Sequence, residues 1–141
     1  MFILVIPDLH GRTQWQDLDL SPYDKVVFLG DYCDSFTVSD SEILENLLKI
    51  VKLKEESPKK FALLLGNHDI HYIHPPIVVP RGSGYRKSME IDLSRLFKKN
   101  RKHFQVMWQH KDYLFSHAGV TQKFWDKYEN TLSWGMKHGS V

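Results

Sequence analysis

Three short apolar runs punctuate the first half of the chain: FILVI at 2–6, KVVFL at 25–29 and FALLL at 61–65. Each is continuous rather than alternating, the pattern of a strand buried on both faces. Between the second and third lies SDSEILENLLKIVKLKEESP, which sets Ile43, Leu44, Leu47, Leu48 and Val51 on one stripe at helical spacing. Ser39 or Asp40 can cap its start, and Ser57-Pro58 closes it. Strand, helix, strand with buried strands predicts a βαβ unit in a largely parallel sheet. Residues 70–86, IHYIHPPIVVPRGSGYR, lose all periodicity and hold three prolines and two glycines. They predict a long loop, which in a compact domain is usually functional. Residues 87–102 predict a helix with Ile91, Leu93, Leu96 and Phe97 as its apolar positions. FQVMWQ and YLFS flank HKD and predict a β-hairpin. Residues 121–130 open with a Thr cap and predict a short helix, while 133–141 follow no pattern.

Composition narrows the class. The chain of 141 residues fits one domain over 1–141 and is long enough to bury a core unaided. It is 42% hydrophobic and 26% charged, as soluble globular proteins are. A formal charge of +2 argues for neither a nucleic-acid groove nor a basic membrane patch. The single cysteine, Cys33, excludes an internal disulfide framework and points to a reducing, cytoplasmic compartment. The opening MFILVIPDLHGR lacks a basic n-region and its apolar run stops at Pro7-Asp8, so it does not read as a signal peptide. No run approaches the ~18 apolar residues of a membrane span.

Candidate chemistry sits at the ends of the apolar runs. FILVI leads into Pro7-Asp8-Leu9-His10-Gly11, and VVFL into Gly30-Asp31-Tyr32-Cys33-Asp34. ALLL leads into Gly66-Asn67-His68-Asp69, and YLFS into His117-Ala118-Gly119. The carboxyl ends of parallel strands share one sheet edge, where ligands bind. Asp8, His10, Asp31, Asn67 and His117 are therefore expected to converge. Carboxylate, imidazole and amide donors suit Mn, Fe or Zn. Asp31 could bridge two ions about 3.5–4 Å apart, the arrangement used for phosphoryl transfer. Gly30 and Gly66 lie where the chain must turn sharply, which often needs unusual φ/ψ. Any one of these Asp or His residues, taken alone, reads more readily as a turn or cap residue than as a ligand. Four coincident strand ends weigh against that bland reading.

The ordered series D-x-H-G, G-D-x-x-D, G-N-H-D and H-A-G resembles the calcineurin-like metallophosphoesterase superfamily. The forms PDLHG, FLGDYCD, LLLGNHD and HAG lean toward the branch of phosphoprotein phosphatases and symmetrical diadenosine-tetraphosphate hydrolases. The match covers residues 2–120; each motif alone is weak, and the ordered set is specific. The resemblance implies an α/β (α+β) fold, a β-sandwich of mixed sheets flanked by helices, with the site at the strand ends. It implies two divalent ions (Mn, Fe, Zn or Ni, Mn first), one held by Asp8, His10 and Asp31, the other by Asp31, Asn67 and His117. A metal-bridging hydroxide would be the nucleophile. His68 would protonate the leaving group, with Asp34 orienting it; a carboxylate partner favours the protonated imidazole such a step needs.

Three departures from the family pattern stand out. Asp34-Ser35-Phe36 replaces Asp-Arg-Gly, so the arginine that clamps the substrate phosphate is absent. Arg12, Arg81 or Arg86 are the candidates to replace it, with two solvated arginines on a mobile PRGSGYR loop an equally good reading. Pro7 replaces a small residue and removes a backbone donor, which a strand end tolerates. The family's further histidine, on a later strand, has no counterpart: His138 follows no apolar run, so the last family strand is expected to lie outside these residues or the site to be open there. His71 and His74 could line the pocket, although loop histidines are usually exposed. His103 and His110 read as surface residues. The four tryptophans, Trp15, Trp108, Trp125 and Trp134, read as core or edge aromatics, and Cys33 as a packed small residue.

The expected activity is hydrolysis of a phosphomonoester or phosphoanhydride of a phosphorylated substrate, with no membrane partner. A nuclease-type phosphodiesterase is the alternative enzyme, disfavoured by the weak charge and the lack of an arginine-aromatic face. A metal-binding but inactive scaffold is the non-enzymatic alternative. The missing arginine and histidine favour the scaffold, and the His68–Asp34 pair counts against it.

Overall fold

The computed structural model describes residues 1–74 and 83–127. Four strands, β1 (Ile3–Ile6), β2 (Lys25–Phe28), β3 (Phe61–Leu64) and β4 (Phe104–Gln105), form a parallel sheet in the order β1-β2-β3-β4. Helix α1 (Asp40–Glu56) connects β2 to β3, and α2 (Asn67–Ile73) and α3 (Glu90–Lys99) lie between β3 and β4. A hairpin of β5 (Met107–His110) and β6 (Tyr113–Ser116) forms a second, antiparallel sheet. Residues 122–127 are helical. The α/β class and the mixture of parallel and antiparallel sheets are as expected.

The continuous apolar runs are explained by two packed faces. Val26, Phe28, Phe61 and Leu63 face the core that also holds Ile43, Leu47 and Ile50 of α1 and Leu93 and Phe97 of α3. Val27, Ala62 and Leu64 form a smaller cluster on which Trp108 of β5 and Phe115 of β6 pack. Helices thus cover one face of β2 and β3 and the hairpin covers the other. β1 differs from the expectation of burial on both faces. It is an edge strand, and Phe2 and Val5 are exposed because only β2 flanks it.

Local sequence sets α1 with one adjustment. Ser39, not Asp40, is the cap. Its hydroxyl accepts from Glu42 N at 3.3 Å while Ser39 N donates to Glu42 Oε2 at 3.0 Å, a capping box. The buried stripe is Ile43, Asn46, Leu47, Ile50 and Val51, with Leu48 half exposed. Asn46 replaces an apolar residue because it ties α1 to the segment after β1. Its Oδ1 accepts from Trp15 Nε1 at 2.9 Å, and its Nδ2 donates to Arg12 O at 3.0 Å.

Four sequence expectations are revised. The loop expected from residue 70 starts later, because α2 continues from Asn67 through Ile73 and carries His71. The single strand expected at FQVMWQ is two: Phe104–Gln105 pairs parallel with β3, and Met107–His110 turns into the hairpin. His103 is largely covered, with Nε2 3.5 Å from Glu55 Oε1. The expected helix over 87–102 is α3 flanked by 3₁₀ turns at Lys87–Met89 and Arg101–His103, and its Ile91 is exposed. Residue 75–82 and 128–141 calls, including those on Arg81, Trp134 and His138, lie outside the described residues.

Candidate functional site

Backbone hydrogen bonds join the strand ends before any side chain takes part. Leu9 N and His10 N both donate to Asp31 O, at 3.1 and 2.8 Å, and Gly11 N donates to Tyr32 O at 3.0 Å. Asp69, fully buried in the first turn of α2, ties in the third strand end. Its Oδ2 accepts from Asp31 N at 2.8 Å and Gly66 N at 2.9 Å, and its Oδ1 from Tyr32 N at 2.9 Å. Burial pushes the Asp69 carboxyl up to about 7, against the pull of its backbone donors, and nearby Asp31 raises it further. The sequence reading sets Asp69 in the Gly66-Asn67-His68-Asp69 turn and gives it no role. The signal available was its position two residues past Asn67, where it reaches back to two strand ends at once.

The turns that aim the side chains are strained. His10, Asp31 and Asp34 adopt positive φ of 48°, 51° and 61°. Residues in this left-handed region cost on the order of 1–3 kcal/mol each and cluster at functional sites. Gly30 has φ +106° and also lacks room, since a Cβ there would lie 2.3 Å from Gly66 N. Gly66 is needed for space alone. Its φ of −94° suits any residue, but a Cβ would lie 2.1 Å from Asp31 Oδ1.

The five expected ligands come together around Asp31, whose side chain is 4% exposed. Its Oδ2 lies 3.8 Å from His10 Nε2, 3.9 Å from His68 Nε2 and 3.4 Å from His117 Nε2. His117 Nε2 is 3.0 Å from Asn67 Oδ1, and His117 Nδ1 is 3.7 Å from Asp8 Oδ1. Both expected histidine ligands have Nδ1 on backbone carbonyls: His10 on Cys33 O at 2.9 Å and Asp34 O at 2.8 Å, His117 on Leu29 O at 3.1 Å. Such bonds turn Nε2 toward the centre, as they do for metal-binding histidines. Two clusters of compatible donors follow, Asp8-Asp31-His117, which Asn67 joins through His117, and His10-Asp31-His68, which sets His10 with His68 rather than with Asp8 as expected. Donor atoms on one ion at ordinary bond lengths lie about 3–3.5 Å apart, close to these separations. Asp31, Asp34 and Asp69 are all buried here. Three buried carboxylates in one place repel, and divalent cations relieve that repulsion. The residues fit metal ions.

One expectation about the strand ends changes. His117 does not end a strand of the parallel sheet. It ends β6 of the hairpin and reaches the site because the hairpin packs across β2 and β3. β4, the fourth parallel strand, ends at Gln105 without contributing a ligand.

His68 and Asp34 form a close pair, with His68 Nδ1 2.9 Å from Asp34 Oδ2. His68 N donates to Asp31 Oδ1 at 2.9 Å, which fixes the ring between the two aspartates. The other Asp34 oxygen accepts from the hydroxyl of Tyr72, itself buried. Burial, together with Asp34, holds the Tyr72 phenol well above its usual range, so it acts as a neutral donor. Cys33 is likewise buried, which pushes its thiol up and leaves it a packing residue.

The arginine candidates are not equivalent. Arg86 forms an ion pair with Asp40, and its Nη2 donates to Ser35 O at 2.5 Å and Val38 O at 2.8 Å. Its guanidinium clamps residues 35–40 and is not free to hold a phosphate, contrary to the sequence expectation. Gly84 brings its segment against the protein rather than a ligand, since a Cβ there would meet Ser35 N at 3.3 Å. Arg12, two residues past His10, is exposed, and its backbone carbonyl accepts from Asn46 Nδ2 at 3.0 Å.

The chain belongs to the calcineurin-like phosphoesterase family, whose profile matches residues 1–138. Members of this family are metal-dependent hydrolases, and the donor clusters around Asp31 are where this chain would hold divalent ions. It is similar to a Schizosaccharomyces pombe protein named "Putative serine/threonine-protein phosphatase C22H10.04", at 36% identity over 74 residues. That stretch is 48% of this chain and 22% of the yeast protein. No solved structure matches the chain. Among the described residues, no helix is long and apolar enough to cross a membrane.

Proposed function

We propose that this chain is a binuclear metal-dependent phosphoesterase that hydrolyses a phosphomonoester or phosphoanhydride. The observation that carries the reading is the His68–Asp34 pair at 2.9 Å, set beside an Asp31 that faces histidines from three directions. Metal-binding alone needs no such pair. Asp8, His10 and Asp31 would hold one ion, and Asp31, Asn67 and His117 the other, with manganese as the first candidate. When bound, the ions supply Lewis acidity and an activated water.

The remaining steps belong to the protein. Asp34 pairs with His68 Nδ1 and so keeps Nε2 pointed at the site. Nε2 is the atom that would give a proton to the departing oxygen. Tyr72 holds Asp34 from behind, so the carboxylate cannot rotate toward the ions. Arg12, exposed two residues past His10, is the described candidate that remains for a substrate phosphate. The similarity to a phosphatase supports the branch of phosphoprotein phosphatases and diadenosine-tetraphosphate hydrolases, with a phosphorylated substrate. The lone Cys33 supports a cytoplasmic setting.

The test is metal content on protein purified without chelator, with Mn-dependent hydrolysis of p-nitrophenyl phosphate and its bis ester. About two ions per chain with turnover on the monoester is the expected result. Preference for the bis ester would make the chain a phosphodiesterase. Bound metal without turnover on either ester would make it a scaffold.

A further inference from the structure

His71 is the one site histidine that the phosphoesterase reading leaves idle. It follows His68 by three residues on α2, so both rings project from the same face. Their centroids are 5.8 Å apart, and His71 Nδ1 is buried with no hydrogen-bond partner among the described residues. A buried ring nitrogen without a partner is costly, and such groups call for a ligand. Asp34, His68 and His71 offer donor atoms within 4.8 Å of one another, and the Asp34 side chain is fully buried.

We propose that Asp34, His68 and His71 form a third, inhibitory metal site selective for zinc. Two imidazoles and one carboxylate are a familiar zinc donor set, with the fourth position left to water. Zinc is favoured over manganese at such a site by the general order of divalent affinities. The exchange is balanced without redox chemistry. The ion enters between His68 Nδ1 and Asp34 Oδ2, and the Nδ1 proton is displaced, to solvent from an imidazolium or to Nε2 from a neutral ring. Those atoms are 2.9 Å apart and need to open by only about half an ångström to accept an ion. The bond from Tyr72 to the other oxygen of Asp34 stays in place and keeps the carboxylate aimed at the new ion. With zinc on Nδ1, His68 can no longer act as an imidazolium, and the proton left on Nε2 is held too tightly to pass readily to the leaving oxygen. This last consequence rests on the proposed role of His68; the metal site itself does not.

The experiment takes the full chain loaded with two equivalents of manganese and adds zinc. Native mass spectrometry counts both metals, and p-nitrophenyl phosphate hydrolysis follows the rate. Wild type is expected to gain one zinc while keeping both manganese ions and to lose at least about tenfold in rate relative to its own zinc-free rate. His71→Phe and His71→Gln are each expected to bind the third ion at least about tenfold more weakly, with inhibition shifted in parallel. Zinc that replaces manganese without raising the total count would overturn the proposal. So would variants inhibited at the same zinc concentration as wild type. A chain that takes up the third ion through His71 but never hydrolyses the ester would leave this site standing and sink the phosphoesterase reading instead.

Discussion

Around Asp31 the side chains reach into open space from separate strand ends, whereas around Asp34 they close on one another. The Asp31 half is held by backbone bonds between the first two strand ends and by Asp69 beneath them. Its outermost ligand, Asp8, is half exposed, and the shortest side-chain contact is between His117 and Asn67. The Asp34 half is a chain of side-chain bonds, Tyr72 to Asp34 to His68, buried at its inner end. The difference matches what each half must do. Ligands for an exchangeable ion need vacant lone pairs and a rigid frame. A proton donor needs its partner fixed in place and shielded from water, where the bond is electrostatically stronger.

The comparison can be broken most severely at Asp31. Asp31→Asn should abolish stable metal binding and lower turnover by about 10³-fold or more, because on the proposed reading both ions share this carboxylate. Metal content and rate should fall together; turnover that survives with no bound metal would remove Asp31 from the centre. His68→Ala should lower turnover by about 10²–10⁴-fold while two ions remain bound. Its loss should be smaller for p-nitrophenol than for an alkyl leaving group, which needs the proton more. Loss of metal in this variant would merge the two halves into one.

Asp69→Ala tests the frame rather than the ligands. It leaves three buried backbone donors, those of Asp31, Tyr32 and Gly66, without an acceptor. At about 1–3 kcal/mol per unsatisfied group, the chain should lose at least about 3 kcal/mol of stability, measured by chemical denaturation. A loss below about 1 kcal/mol would mean that water replaces the carboxylate and that the frame is looser than described. Arg86→Met is the mildest change. Losing the clamp on residues 35–40 should cost about 2 kcal/mol of stability. KM for p-nitrophenyl phosphate should shift less than about twofold, since a phosphate-binding arginine would change KM far more. A rise of tenfold would return Arg86 to the substrate.

Much of this was legible in the chain because the ligands sit at fixed offsets from apolar runs. FILVI, VVFL and ALLL had to be strands of one buried layer, so Asp8, His10, Asp31, Asn67 and His68 had to share its edge. What was not legible depends on side chains distant in sequence. Asp69 reads as a helix residue until its oxygens meet Asp31 N and Tyr32 N, 38 and 37 positions away. Tyr72 reads as core until its hydroxyl finds Asp34. Arg86 looks like a loop cation until Asp40 and the carbonyls of Ser35 and Val38 enclose it. The split of FQVMWQ into β4 and β5 was hidden because apolar content alone does not say which sheet a strand joins.

The sequence by itself therefore determined the parallel layer, the helix between β2 and β3 with a cap at Ser39 or Asp40, and the residue types at the strand ends. These follow from local periodicity and turn chemistry, which act over a few residues. Only the tertiary structure decided that His117 arrives from a hairpin of a second sheet, that His71 turns inward beside His68, and that Gly66 is required for space and not for its backbone angles. Each of these is a matter of which surfaces pack against each other. Packing distances between remote segments leave no periodic mark on the chain that makes them.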